Sequence, residues 1–253
     1  MPFTFSHPAI ILPLENSKRK WFSLTGLIVG SIVPDMEFLL RLRETDCFGH
    51  TWLGLLVFDI PAAILLSFIF HNLVRDPLVI HAPKFFRQRF TSLLSFNWNN
   101  YFKKHISSFF VSVLIGIASH VFLDAFTHYD GAVAKRSSFF FNEIIVWQHA
   151  FPVYLILQVV TSLVGALYIL WFIFKMKRSE ELLPANNIFI YWLSLSLLSI
   201  AIFVVRIIID TKHQSFYDVF VAAVGSCLYA LLVVSLFYYK KILSKQYCWR
   251  GSL

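Results

Sequence analysis

The chain reads as an all-α, polytopic membrane protein, with about five transmembrane helices after a short N-terminal helical hairpin. Three observations predict this. Several apolar runs reach the roughly 20 residues that a helix needs to cross a bilayer. Hydrophobic residues make up 58% of the 253 positions against 14% charged, and the mean hydropathy is +0.68, which excludes an ordinary soluble enzyme. Lys and Arg, the source of the formal charge of +8, gather between the apolar runs, as orienting loop charges do.

Taken in order, residues 1–17 are apolar and contain Pro8 and Pro13, with a short helix expected after Pro8. Residues 21–40 are a second apolar stretch, broken at Val33-Pro34-Asp35. About thirteen residues precede that proline, roughly 20 Å of helix. That is short for a span, so a re-entrant or partly buried segment is expected. Firm spans are expected at 51–74, with Asp59 and Pro61 near its middle, and at 106–128, 152–174, 187–209 and 217–239. Between the first two, Phe85, Phe86, Trp98 and Tyr101 alternate with Arg87, Arg89, Lys103 and Lys104. This pattern predicts a segment lying along the membrane surface.

The basic residues set the orientation. The 75–105 linker, the 175–178 linker and the 240–250 tail are joined by even numbers of spans, which puts them, and the C-terminus, on the cytoplasmic side. The turns at 129–151 and 210–216 then face outward. The positive charge is read as orientation signal and contact with membrane lipids, not as nucleic-acid binding. Cys47, Cys227 and Cys248 show no disulfide or metal-knuckle spacing. The first twenty residues, broken by Pro8, Pro13 and Lys18-Arg19-Lys20, show no cleavable secretory signal.

The polar groups inside this apolar chain are the functional candidates. His120-Val-Phe-Leu-Asp124-Ala-Phe-Thr-His128 closes the 106–128 run. An ionisable side chain there costs about 2.5–3.5 kcal/mol on insertion scales. Steps of four put His120, Asp124 and His128 on one helical stripe, and two imidazoles flanking a carboxylate suit a metal half-site. His50 stands at the outer start of the preceding antiparallel span, within reach. A helical hairpin turning at Lys18-Arg19-Lys20 would return His7 and Asp35 to the same level. The candidate metal ligands are therefore His7, Asp35, His50, His120, Asp124 and His128. Asp35 or Glu37 would serve as ligand or general base; two residues apart, they do not face one point from a regular helix, so one is structural. Simpler roles compete: an interhelical hydrogen bond for His120 and Asp124, turn chemistry before Pro8 for His7, a helix cap for His128. Asp59 is expected on the helix face opposite His50, and Arg206 and Asp210 are expected to pair locally.

The motifs carry a resemblance. The opening Met1-Pro2-Phe3-Thr4-Phe5-Ser6-His7, then Gly30-Ser31-Ile32-Val33-Pro34-Asp35, His50-Thr51, His120 to His128, and Pro152, Tyr154 and Gln158 resemble a bacterial integral-membrane family, domain of unknown function 4184. That likeness covers about residues 1–175, and marks them as the core of a single domain over 1–253, with two further membrane helices in 176–253. More distantly, Ser6-His7, Pro34-Asp35, His50-Thr51 and His120/Asp124 resemble, in the same order, membrane-bound metal-dependent hydrolases related to zinc-dependent phospholipase C. Position 37 is Glu where that pattern has a second Asp, and no His stands just before His50-Thr51, where position 49 is Gly, so a full two- or three-metal set does not carry over by resemblance.

The resemblance implies a divalent metal, zinc first, with manganese or iron as alternatives that imidazole and carboxylate also suit. It implies hydrolysis of a phosphoester or lipid-linked substrate at the outer edge of the bacterial inner membrane. Two other readings stay open: a transporter or proton-coupled protein whose pathway is lined by Asp59, His120 and Asp124, and a structural membrane protein with a satisfied polar network.

Overall fold

The computed structural model describes residues 4–16, 21–44, 48–180 and 187–250. The expected Lys18-Arg19-Lys20 turn lies outside them. Two short 3-10 segments, Thr4–Ile10 and Leu12–Asn16, open the described chain. Next come α1 (Leu24–Ile32), a 3-10 turn at Val33–Asp35, and α2 (Met36–Arg41). The remaining helices are α3 (Trp52–His81), α4 (Lys84–Phe90), α5 (Trp98–Lys104), α6 (Ile106–Thr127), α7 (Val153–Lys175), α8 (Ile188–Ile209) and α9 (Phe216–Arg250). Five of them are long and apolar enough to cross a membrane: α3, α6, α7, α8 and the Phe216–Tyr239 part of α9. The protein is thus an all-α polytopic membrane protein with a short helical N-terminal segment, as the hydropathy predicts.

The Thr4–Ile10 segment contains Pro8, and a second short segment, Leu12–Asn16, lies after that proline, where a short helix is expected. A short 3-10 segment has few ladder bonds, so a missing N–H costs it little. The first span also runs further than hydropathy suggests, to His81. It holds two wide π turns, Leu55–Asp59 and Phe70–Val74. Each is followed within three residues by a proline, Pro61 or Pro77. Neither proline has an N–H for the carbonyl four residues back, and a π turn absorbs the mismatch without ending the helix.

Contacts group the chain into two compact units. The first comprises Met1–Asp35, Phe48–Ile64 and Phe102–Lys175. Its centre is the packing of α1 on α6. Gly26 and Gly30, four apart on α1, and Gly116 on α6 remove the side chains that would hold the helices apart. A Cβ on Gly30 would lie 2.4 Å from the Val113 carbonyl oxygen, and one on Gly116 2.5 Å from that of Leu27. Small residues at this spacing let membrane helices meet backbone to backbone. Ser23 caps α1, accepting from Gly26 N–H at 3.2 Å, and its own N–H donates to Ser112 Oγ on α6 at 2.8 Å. The Thr4–Ile10 segment is tied to α7, where Ser6 Oγ donates to the Ser162 carbonyl at 2.9 Å.

The expected outward turn at 129–151 contains an antiparallel hairpin, β1 (Glu143–Val146) and β2 (His149–Pro152). Its two-residue turn, Trp147-Gln148, has φ of 51° and 68°. Both are in the left-handed region that a tight hairpin requires and that Gly or Asn fills more easily.

The second unit comprises Met36–Cys47, Leu65–Tyr101 and Met176–Leu253. Within it α8 and α9 pack together. The aromatic-basic stretch folds as α4 and α5 joined by a 3-10 turn at Thr91–Ser95. Trp98 is buried and stacks on His71, with centroids 4.6 Å apart. Arg206 is buried and is held chiefly by carbonyls: Nε donates to Leu42 at 2.8 Å and Nη1 to His213 at 2.6 Å. Its expected partner Asp210 is 3.8 Å away and lies closer to His213 Nδ1, at 2.8 Å.

Candidate metal centre

The close crossing of α1 and α6 builds the centre. It brings the Ser31 carbonyl to His120, whose Nδ1–H donates to it at 2.8 Å. That bond fixes the tautomer, so the lone pair is on Nε2. Nε2 then faces carboxylates on both sides: Asp124 Oδ2 at 3.1 Å and Asp35 Oδ1 at 3.5 Å. Asp35 ends the 3-10 turn after α1 and is fully buried. Its other oxygen, Oδ2, accepts from Thr4 Oγ1 at 2.7 Å, which aims Oδ1 at the imidazoles. His50 enters from the 3-10 turn before α3, with Nε2 3.4 Å from Asp124 Oδ2 and 3.9 Å from Asp35 Oδ1.

Asp35, His50, His120 and Asp124 thus each offer a ligand atom, all within 4.8 Å of one another. The distances test whether a cation fits. Four ligands about 2.0–2.2 Å from a tetrahedral ion lie about 3.4 Å apart. The four imidazole-to-carboxylate separations, 3.1, 3.4, 3.5 and 3.9 Å, bracket that edge. Oδ1 of Asp35 and Nε2 of His120 are buried yet make no hydrogen bond among the described residues, although they face each other. Buried polar atoms are rarely left so, and a cation between them satisfies both.

His7 and His128 flank this group. His7 is buried and stacks on His120, with centroids 4.0 Å apart and planes 19° from parallel. Its Nε2 is 3.7 Å from Asp124 Oδ1, and neither ring nitrogen has a hydrogen-bond partner among the described residues. His128 caps α6, giving its N–H to the Asp124 carbonyl at 3.1 Å, and its Nδ1 is 3.4 Å from Asp124 Oδ1. Capping and site contact are therefore combined in one residue. Burial pushes the His7 imidazole down to about 4 and lowers that of His128, keeping both rings in the neutral form that binds metals.

The structure brings together His7, Asp35, His50, His120, Asp124 and His128. Glu37 belongs to the second unit, on α2, where its carboxylate meets Arg41 Nη2 at 2.9 Å. Asp59 differs from expectation. A Cβ on Gly49, the neighbour of His50, would lie 2.8 Å from Asp59 Oδ1, so this buried carboxylate is beside the His50 turn and not on the far face. The π turn that ends at Asp59 changes the helical phase on which the opposite-face expectation rested. Two supporting groups had no separate reading in the sequence: the Thr4 hydroxyl and the Ser31 carbonyl. Thr4 and Ser31 both fall inside quoted motifs; only the fold shows what they hold.

A family model described as Domain of unknown function (DUF4184) matches residues 1–236, and the chain belongs to that family. The match runs past the N-terminal motifs and into the last membrane helix. No curated protein and no solved structure matches the chain.

Proposed function

We propose that this DUF4184 membrane protein is a metal-dependent hydrolase that acts on a phosphoester or lipid-linked substrate at the membrane edge. The observation that carries the reading is the set of four ligand atoms, one each from Asp35, His50, His120 and Asp124, that all lie within 4.8 Å of one another, with imidazole-to-carboxylate separations of 3.1, 3.4, 3.5 and 3.9 Å. Two imidazoles and two carboxylates suit zinc, and also manganese or iron. A divalent cation held there supplies polarisation of a phosphoryl oxygen and a water acidic enough to ionise near neutral pH.

The residues divide the work. Thr4 and the Ser31 carbonyl orient Asp35 and His120. His50 is the most open of the four, with 30% of its side chain exposed against 12% for Asp124 and at most 1% for the other two. Substrate therefore approaches over His50. Asp35 acts as a ligand. We assign Glu37 a structural role, because its carboxylate is engaged by Arg41. A lipid-side substrate is supported by the hairpin of the same unit, where Ile145 is 77% and Trp147 91% exposed directly before span α7. We place the site on the outer face of a bacterial inner membrane, with the C-terminus cytoplasmic, on the distribution of Lys and Arg.

The test is metal content of detergent-purified wild type beside His120→Ala and Asp124→Ala, followed by assay of the wild type on phosphoester lipids. Stoichiometric metal that both variants lose, with hydrolysis that a chelator abolishes, is the expected result. A wild type that binds neither zinc, manganese nor iron after reconstitution sinks the reading.

A further inference from the structure

We infer that Lys135 and Arg136 hold the phosphate group of the substrate at the mouth of the centre, so that the substrate is a phosphate ester anion rather than a neutral ester. The inference rests on the metal reading above and adds to it the residues that choose the substrate.

Charge balance calls for cations outside the ligand set. Asp35 and Asp124 bring two negative charges to the centre, and histidines bind a metal in the neutral form. One divalent cation cancels the two carboxylates, and a neutral centre does not draw in an anion. Among the described residues of the first unit, the Lys and Arg side chains are those of Lys103, Lys104, Lys135, Arg136 and Lys175. Lys103 and Lys104 precede α6, whose far end carries the centre, and Lys175 closes α7. A helix of 22 or 23 residues is about 33 Å long, so these three are a membrane thickness away. Lys135 and Arg136 follow the end of α6 that carries Asp124 and His128.

The turn that bears them is tied down against that end. Gly131 N–H donates to the His128 carbonyl at 3.1 Å, and Val133 N–H to the Ala125 carbonyl at 3.1 Å. A Cβ on Gly131 would lie 2.5 Å from the Ala125 carbonyl oxygen and 2.6 Å from that of Asp124, so the close approach requires glycine. Lys135 N–H then donates to the Gly131 carbonyl at 2.9 Å, and Arg136 N–H to the Val133 carbonyl at 3.0 Å. Ala134, between them and the helix end, is fully buried. The Lys135 main chain therefore stands one residue, Gly131, from the main chain of a metal ligand.

Exposure and pairing agree with this role. The centre reaches the surface through His50, Asp124 and His128, whose side chains are 30%, 12% and 21% exposed, and the turn starts at His128. Lys135 and Arg136 are both exposed, and among the described residues neither forms an ion pair, not even with Asp130 of the same turn. An ammonium and a planar guanidinium in this state suit a phosphate, the guanidinium by two parallel hydrogen bonds. The orientation proposed above puts the turn outside, where Lys and Arg are ordinarily depleted, so the pair is not part of the orientation signal.

The experiment titrates zinc-reconstituted protein in detergent with glycerol phosphate, and in mixed micelles with phosphatidic acid. Three double variants accompany wild type: Lys135→Ala with Arg136→Ala, Lys135→Arg with Arg136→Lys, and Lys103→Ala with Lys104→Ala, which removes equal charge at the other end of α6. Zinc content and thermal unfolding are measured on the same samples. The expected result is binding about tenfold weaker in the first variant, with zinc content unchanged and the other two variants like wild type. Binding of phosphatidic acid alone assigns the phosphate to a lipid headgroup; binding of both probes assigns the site to phosphate esters in either setting. Wild-type binding must also weaken as salt rises, which needs no variant, so a misfolded variant does not shield the inference. Salt-independent binding, zinc-loaded wild type that binds neither probe, or a folded first variant that binds as wild type does overturns this recognition and leaves the metal reading standing. A wild type that takes up no metal overturns both.

Discussion

Replacing Gly30 with Ala tests whether helix crossing sets the chemistry of the centre. The new Cβ would lie 2.4 Å from the Val113 carbonyl oxygen and 2.8 Å from Val113 Cα. Both are backbone atoms of α6 and neither has a rotamer to escape by. Ordinary contact begins at 3.4 Å, so α1 and α6 must part by about 1 Å at this point. Ser31 is the next residue, and its carbonyl is 2.8 Å from His120 Nδ1. The same displacement stretches that bond to about 3.8 Å, beyond hydrogen-bonding distance. His120 then loses the partner that fixes its tautomer. Loss of such an outer partner weakens metal binding about 10- to 100-fold, which is about 1.4–2.7 kcal/mol. The assay is competition for zinc against a fluorescent chelator, wild type beside Gly30→Ala, in one detergent. Overpacking also lowers stability, by about 1–3 kcal/mol, so unfolding is measured on the same samples. A folded Gly30→Ala protein with wild-type zinc affinity refutes the chain of reasoning from helix contact to ligand orientation.

Three further outcomes follow from single contacts. Thr4→Val removes the donor to Asp35 Oδ2 and leaves a buried carboxylate oxygen bare; thermal unfolding of the metal-free protein should show a loss of about 1–3 kcal/mol, and no loss would mean that Thr4 does not hold Asp35. In the second unit, the hydrogen bond with His213 holds the Asp210 carboxyl below its ordinary value. A lowered carboxyl stabilises at pH above its unfolded value and loses that contribution as pH falls through the folded one, so Asp210→Asn should flatten the drop in melting temperature below about pH 4; an unchanged acid profile counts against the pair. Finally, bromine-labelled phospholipids should quench wild-type tryptophan emission more than that of Trp147→Phe, since Trp147 is 91% exposed at the hairpin tip; equal quenching places the hairpin in water.

Much of this architecture is legible in the sequence because the signals involved are long. Hydropathy averaged over about 20 residues locates a span whatever its detailed packing, and α6, α7, α8 and α9 lie where the apolar runs lie. The stripe of His120, Asp124 and His128 was readable because α6 is regular from Ile106 to Thr127. Signals that depend on local exceptions were lost. The apolar run of the first span ends near 74, yet Arg75 is satisfied by Asp76 and the Phe96 carbonyl, and α3 continues to His81. The π turn before Pro61 moved Asp59 off its expected face. Ile144, Ile145 and Val146 are a β-forming run, but the turn Trp147-Gln148 lacks the Gly or Asn that announces a hairpin. Gly26 and Gly30 do carry a readable small-residue spacing; what they bring together is visible only once Ser31 and His120 are seen to touch.

The charge of the centre links the number of ions to the kind of substrate. Asp35 and Asp124 bring two negative charges into a buried site. Its histidines are neutral when they bind a metal. One divalent cation balances the two carboxylates, and the site as a whole then offers an anionic substrate no net attraction. A second cation in the same cluster would leave an excess of two positive charges. An excess of positive charge at the edge of an apolar protein is poorly screened, and it is what a phosphoester needs to leave water for the membrane edge. A neutral lipid ester has no such need. A centre that holds two ions therefore favours phosphorylated lipid substrates over neutral ones, whereas a centre that holds one leaves that preference to cations outside it, Lys135 and Arg136.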